Sequence, residues 1–156
     1  MVRAIKNNDS EASPVVKMTY TPARATRTLP FVRRVVKDLM NLRSSIDRQR
    51  VQLAGISQMS ETIDQAAYRD ELTDMHQSLT SDEIRFNECI SELDAIGAVP
   101  HDPFDGTVDF PALLNRRPIR LCWQPGDEKV EYWHEIGEPA KDRKKIDHEM
   151  LPALAS

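Results

Sequence analysis

Cysteine is scarce in this chain: Cys89 and Cys122 are the only two among 156 residues, far apart and outside any Cys-x-x-Cys spacing. That excludes a sequence-local zinc knuckle and a disulfide-stapled fold, and both are read as reduced, buried thiols. Long apolar runs are also missing. None approaches the roughly 18 residues that a membrane span needs, and Met1 to Asp9 has no apolar core of the kind a signal peptide carries. A cytoplasmic protein without membrane partners is therefore expected. Aromatic residues make up 6% of the chain, so its core is expected to be narrow. With 40% hydrophobic and 29% charged residues the composition is nevertheless that of a folded chain, and the length suits one domain with an appendage.

Residues 1–19 mix Asn, Asp, Ser, Glu and Pro14 without periodicity and are expected to form a disordered tail. Apolar residues then recur at three- and four-residue steps: Val32, Val35, Leu39, Leu42, Ile46, polar Gln49, Leu53 and Ile56. This spacing places them on one stripe of a helix. Gly55, followed by Ser57, Ser60 and Thr62, is read as a turn and the cap of a second helix. The second seam runs Leu72, Met75, Leu79, polar Asp82, Phe86, Cys89, Leu93 and Ile96, and stops at Gly97. Two long helices joined by a short connection lie antiparallel, so residues 20–97 are expected to form a coiled-coil-like helical hairpin. Val36, Met40, Ile84 and Ile90 widen its stripe toward the open base, where a following module can pack. A seam this narrow buries little surface, so self-association into a homo-oligomer is expected.

The two helices carry opposite charge. Residues 24–50 hold eight Lys or Arg against two Asp, a net of +6, while residues 61–94 hold ten Asp or Glu against two Arg, a net of −8. A basic helix can offer a stripe to nucleic acid phosphates, but an acidic helix alongside cancels its field within a Debye length of about 8 Å. Helix pairing and orientation are the simpler role for these charges, and nucleic acid is not the expected partner.

After Gly97 the pattern changes, and five prolines between Pro100 and Pro125 rule out another long helix. Residues 98–143 are expected to form a small antiparallel β module packed at the hairpin base, giving an α+β chain, with residues 144–156 as a flexible C-terminal tail. Ile119-Arg120-Leu121-Cys122-Trp123 and Val130-Glu131-Tyr132-Trp133-His134 flank a Pro125-Gly126 turn. A four-residue loop from Pro125 to Glu128 places Leu121 opposite Tyr132, Arg120 opposite Trp133 and Ile119 opposite His134. His134 then lies on the apolar face, and Arg120 can stack on Trp133.

Tyr20-Thr21, Leu29-Pro30-Phe31-Val32, Gly106-Thr107-Val108-Asp109-Phe110-Pro111-Ala112, Leu121-Cys122-Trp123 and Tyr132-Trp133-His134-Glu135 resemble the recurrent blocks of a bacterial family of unknown function, DUF2203. The resemblance spans about residues 20–143. It implies an architecture and no mechanism, because the family has no established activity. Its members follow the Trp-His-Glu block with Gly-Phe-x-Gly-Arg, whereas Ile136-Gly137-Glu138-Pro139-Ala140-Lys141-Asp142-Arg143 keeps only the arginine.

His134 and Glu135, with Asp109, Cys122, His101, Asp102 and Asp105, form the one group able to supply metal ligands or an acid–base pair, without a diagnostic spacing. Asp102, Asp105, Gly106 and Asp109 lack the alternating ligands and terminal Glu of a calcium loop. His134 also fits as a core histidine donating to a backbone carbonyl, Trp123 and Trp133 as core aromatics, and Asp109 as the acceptor of a salt bridge from Arg120 or Arg143. No motif names a cofactor. The leading expectation is a non-enzymatic interaction or assembly protein that self-associates through the hairpin, with a protein partner at the β module. The alternative is a small-ligand or metal-binding enzyme whose site gathers Asp109, Arg120, Trp133, His134, Glu135 and Arg143.

Overall fold

The computed structural model describes residues 18–59 and 65–155. The expected N-terminal tail therefore falls almost wholly outside the described residues, as do the capping residues Ser60 and Thr62. A short helix α1 (Pro22–Arg27) opens the fold. Thr21 caps it by accepting from the Arg24 amide, and Pro22 stands where a helix has no use for an N–H. Helix α2 (Leu29–Met59) and helix α3 (Gln65–Ala95) follow, each 31 residues and therefore about 46 Å long. They run antiparallel: Gln49 bonds Asp82, Arg50 pairs with Glu83 and the Tyr68 hydroxyl donates to the Ile56 carbonyl. Gly55 is inside α2 rather than in the connection. A single Gly costs a helix about 1 kcal/mol, which the flanking turns offset. No helix among the described residues is long and apolar enough to cross a membrane.

Helix α3 ends as its sequence predicts. Gly97 takes φ +80°, its amide donates to Asp94, and the Ala98 amide reaches back to Leu93. This paired closure satisfies the last carbonyls and turns the chain into the sheet.

The sheet is antiparallel, with strands β1 (Val99–Pro100), β2 (Val108–Leu114), β3 (Arg117–Trp123), β4 (Tyr132–His134) and β5 (Lys144–Lys145) side by side in chain order. Strand β6 (Leu154–Ala155) returns to pair with β2. The β2–β3 hairpin turns on Asn115 and Arg116, at φ 52° and 68°, the left-handed pair that a two-residue hairpin loop requires. The free edge of β2 is covered piecewise: β1 at Val108 and Asp109, the Tyr20 amide on the Pro111 carbonyl at 2.7 Å, and β6 at Leu113 and Leu114. An edge covered this way offers little to a passing strand.

One face of the sheet meets the helices. Val108, Phe110, Ala112, Ile119, Leu121, Trp123 and Trp133 join Val32, Val35, Leu39, Cys89 and Leu93 in a single core. Val36 and Ile90 pack at the hairpin base as their positions predict, but Ile84 is 55% exposed and Met40 38%. Phe104 closes the gap between helices and sheet, edge-on to Phe86 at 6.3 Å.

The C-terminal tail expectation is corrected. Residues 144–155 form structure: β5 pairs with β4, a 3-10 segment follows over His148–Ala153, and Leu154 is buried in the core. Ile146 and Met150 supply the apolar contacts that hold the segment down. They are spaced among charges, which hides them from a reading based on composition.

Candidate metal centre

The second expectation to be corrected is the β3–β4 register. Arg120 stands opposite His134, Leu121 opposite Trp133 and Cys122 opposite Tyr132, one residue away from the expected pairing. Since side chains alternate along a strand, a one-residue slip moves every one to the other face. The cause is the loop. Gln124–Asp127 does form the Pro-Gly turn, with the Asp127 amide on the Gln124 carbonyl and Gly126 at φ +106°. Strand β4 does not resume at once, however. Arg33 from α2 holds the Glu128 carbonyl at 2.8 Å, Trp123 Nε1 donates to the Asp127 carbonyl, and the Val130 amide donates to Thr26 in α1. The anchors on Arg33 and Thr26 belong to residues about a hundred positions away, and they draw Val130 into the core.

The slip brings Asp109, Cys122 and His134 together on the sheet face away from the helices. Asp109 pairs with Cys122 across β2 and β3, and His134 lies one strand further on. His101, from the loop after β1, completes the group. Each of the four comes from a successive sheet element, and their ligand atoms lie within 4.8 Å of one another. His134 Nε2 is 3.1 and 3.2 Å from the two Asp109 oxygens, and His101 Nε2 is 2.9 Å from Asp109 Oδ2. Cys122, His134 and Asp109 are buried, and His101 is half-buried.

The tautomers decide what this group can do. His134 Nδ1 lies 2.8 Å from the Glu135 carbonyl, which can only accept, so the proton is on Nδ1. In the neutral ring Nε2 then carries a lone pair, and that lone pair faces a buried carboxylate. Such an arrangement needs either a second proton or a cation between the two groups. His101 Nε2 has the same need: it is close to Asp109 but off the line of a hydrogen bond, and this buried nitrogen has no hydrogen-bond partner. Burial, and then the Asp109 charge, push the Cys122 thiol up to about 12, against the opposing pull of Arg143. Two imidazoles, a carboxylate and a sulfur are the donor set of a zinc-class ion, with ligands at about 2.0–2.3 Å.

The remaining candidates are placed as follows. Arg143 clamps Asp127 with its two amino groups at 2.6 and 3.3 Å and stacks on Tyr132, its guanidinium 3.9 Å from the ring centre. It does not bond Asp109, and the Asp127 carboxylate raises its affinity for its proton against the effect of burial. Arg120 shares the face of His134 and stands across from it. Trp133 belongs to the opposite, helix-facing side, where Lys144 rather than Arg120 sits over its ring at 4.7 Å. The Glu135 side chain pairs with Arg117 at the surface, and only its backbone carbonyl serves the site. His101 and Cys122 are legible as metal-ligand types, but only the true register brings His134 onto the face they share with Asp109. Asp105 is committed to its own loop, its carboxylate accepting from the Thr107 amide at 2.9 Å. Despite partial burial, the Thr107 hydrogen bonds lower its pKa.

An open cleft of about 840 Å³ adjoins the centre, with His101, Tyr132, Arg143, Lys141 and Arg43 in its walls. His101 is the ligand that reaches it.

No curated protein and no solved structure matches the chain. A family model matches residues 18–146, which includes all four candidate ligands and both long helices. The chain thus belongs to the family described as "Uncharacterized conserved protein (DUF2203)".

Proposed function

We propose that this protein binds one zinc-class divalent ion through His101, Asp109, Cys122 and His134. The observation that carries the reading is the His134 ring, whose Nδ1 proton is committed to the Glu135 carbonyl while its Nε2 lone pair is aimed at the buried Asp109 carboxylate. A cation between them removes the conflict and gives the orphaned His101 nitrogen a partner. Four protein donors complete a tetrahedral shell, the coordination of a structural zinc site. Drawn from the loop after β1 and from β2, β3 and β4, they let the ion fasten the outer face of the sheet. Access runs through the cleft, and His101 is the donor whose departure would open a position to a small ligand there.

Elemental analysis and melting of the purified chain test this. One ion per chain is expected, with chelation lowering the melting temperature. A ligand present at a thousand times its dissociation constant stabilises by about 4 kcal/mol. For a chain of this size that corresponds to roughly 8–16 °C. His134→Ala and Asp109→Ala should lose the ion. If reconstituted protein holds none, or melts identically with and without chelator, the reading fails. His101→Ala separates two uses of the ion: complete loss marks His101 as a required fourth ligand, and retention marks it as the exchangeable one.

A further inference from the structure

We infer that the distal half of the helical hairpin is an interface for a second copy of this chain, with basic α2 of one copy lying along acidic α3 of the other. This stands apart from the metal centre, which is at the opposite end of the helices. Three observations carry it. The core stops early: among the described residues, Ile46 is the last buried position of α2 and Cys89 the first of α3. Beyond them Leu53, Leu72, Met75 and Leu79 are only half-buried, although they are the hairpin's own seam. Two helices cannot cover such a seam from both sides, and a second pair can.

The charges point the same way. Among the described residues only Arg50–Glu83 and Arg85–Asp38 form ion pairs between the helices, the latter at 3.9 Å. In the distal half, Arg48 on α2 and Asp70, Glu71 and Asp74 on α3 are exposed and, among the described residues, outside any ion pair. The opposition of charge read from the sequence is thus largely left unused within one chain. One chain carries both halves of the complement, so two copies related by a twofold axis satisfy it twice. Finally, among the described residues each helix presents one large apolar side chain to solvent in this region, Val51 at 73% and Ile84 at 55% exposure. Ile84 ends a shallow groove of about 490 Å³ formed with Thr73, His76, Gln77, Thr80 and Ser81, room for side chains of a neighbouring helix.

Sedimentation velocity of the full chain, from micromolar to sub-millimolar concentration, reads the outcome. The wild type is expected as a dimer of the 17.8 kDa chain, weakening as salt rises. A variant with Arg48→Glu, and another with Asp70→Lys and Asp74→Lys, should each be monomeric alone and form a heterodimer when mixed. Circular dichroism checks that each stays helical. Val51→Asp, which leaves the existing charges in place, is expected to weaken the dimer at least tenfold, and it decides the matter if either charge variant unfolds. A monomeric wild type throughout the range would overturn the inference. So would charge variants that remain dimers on their own.

Discussion

At the scale of single residues, burial of polar groups explains the most. Tyr20 is an example: its amide extends the edge of β2, its ring meets Phe110 edge-on at 5.1 Å, and its hydroxyl donates to the Ile96 carbonyl at the end of α3. Burial raises its pKa above the ordinary 10.0, against the opposing charge of Arg24. An acid whose pKa is raised by folding contributes stability below its unfolded pKa and loses it as pH rises through the folded value. Tyr20→Phe should therefore cost about 1 kcal/mol at neutral pH, the usual worth of one hydrogen bond. It should also flatten the fall in stability above pH 10 that the wild type shows in denaturant titrations. An unchanged alkaline limb would mean that the hydroxyl is not the titrating group. Gly106 is a second case. Its φ is +97°, and a Cβ there would stand 2.9 Å from Pro125 Cγ, in a ring that cannot swing away. Gly106→Ala is expected to destabilise by about 1–3 kcal/mol in urea unfolding.

At the scale of elements, what the sequence revealed depended on whether a pattern was local. The seams of α2 and α3 repeat every three or four residues, and the end at Gly97 needs only neighbours, so both were legible. The two β3–β4 strands were legible for the same reason, but their register was not. Loop length decides register, and the loop's length here is set by Arg33 and Thr26, whose contacts lie about a hundred residues away in the chain. The error mattered because His134 changed faces with it. Residues of the right chemical types, His101, Asp109, Cys122 and His134, were visible one by one, yet each comes from a different sheet element and no spacing links them. The C-terminal segment was missed because β5 and β6 are two residues each and Ile146, Met150 and Leu154 are scattered. Deleting residues 144–156 should lower stability by roughly 3 kcal/mol, from the loss of three apolar contacts and two short strands. An unchanged melting temperature would mean that the segment does not pack.

At the scale of the whole molecule, the sheet separates two kinds of surface. Its inner face is apolar and continuous with the base of the hairpin, and its outer face carries a compact set of donors under a cleft. The long helices extend well past the core and bear charges that the chain itself leaves largely unpaired. The proposed ion draws on the first feature and the proposed association surface on the second, and the two proposals are independent of each other. The central claim is the ion and its four donors. Cobalt(II) loading tests it most directly, because the visible spectrum reports coordination geometry and a near-ultraviolet charge-transfer band reports sulfur. One cobalt per chain is expected, with tetrahedral-type visible bands and a sulfur band that Cys122→Ser removes. A spectrum of octahedral type, or a sulfur-free spectrum that Cys122→Ser leaves unchanged, would contradict the account.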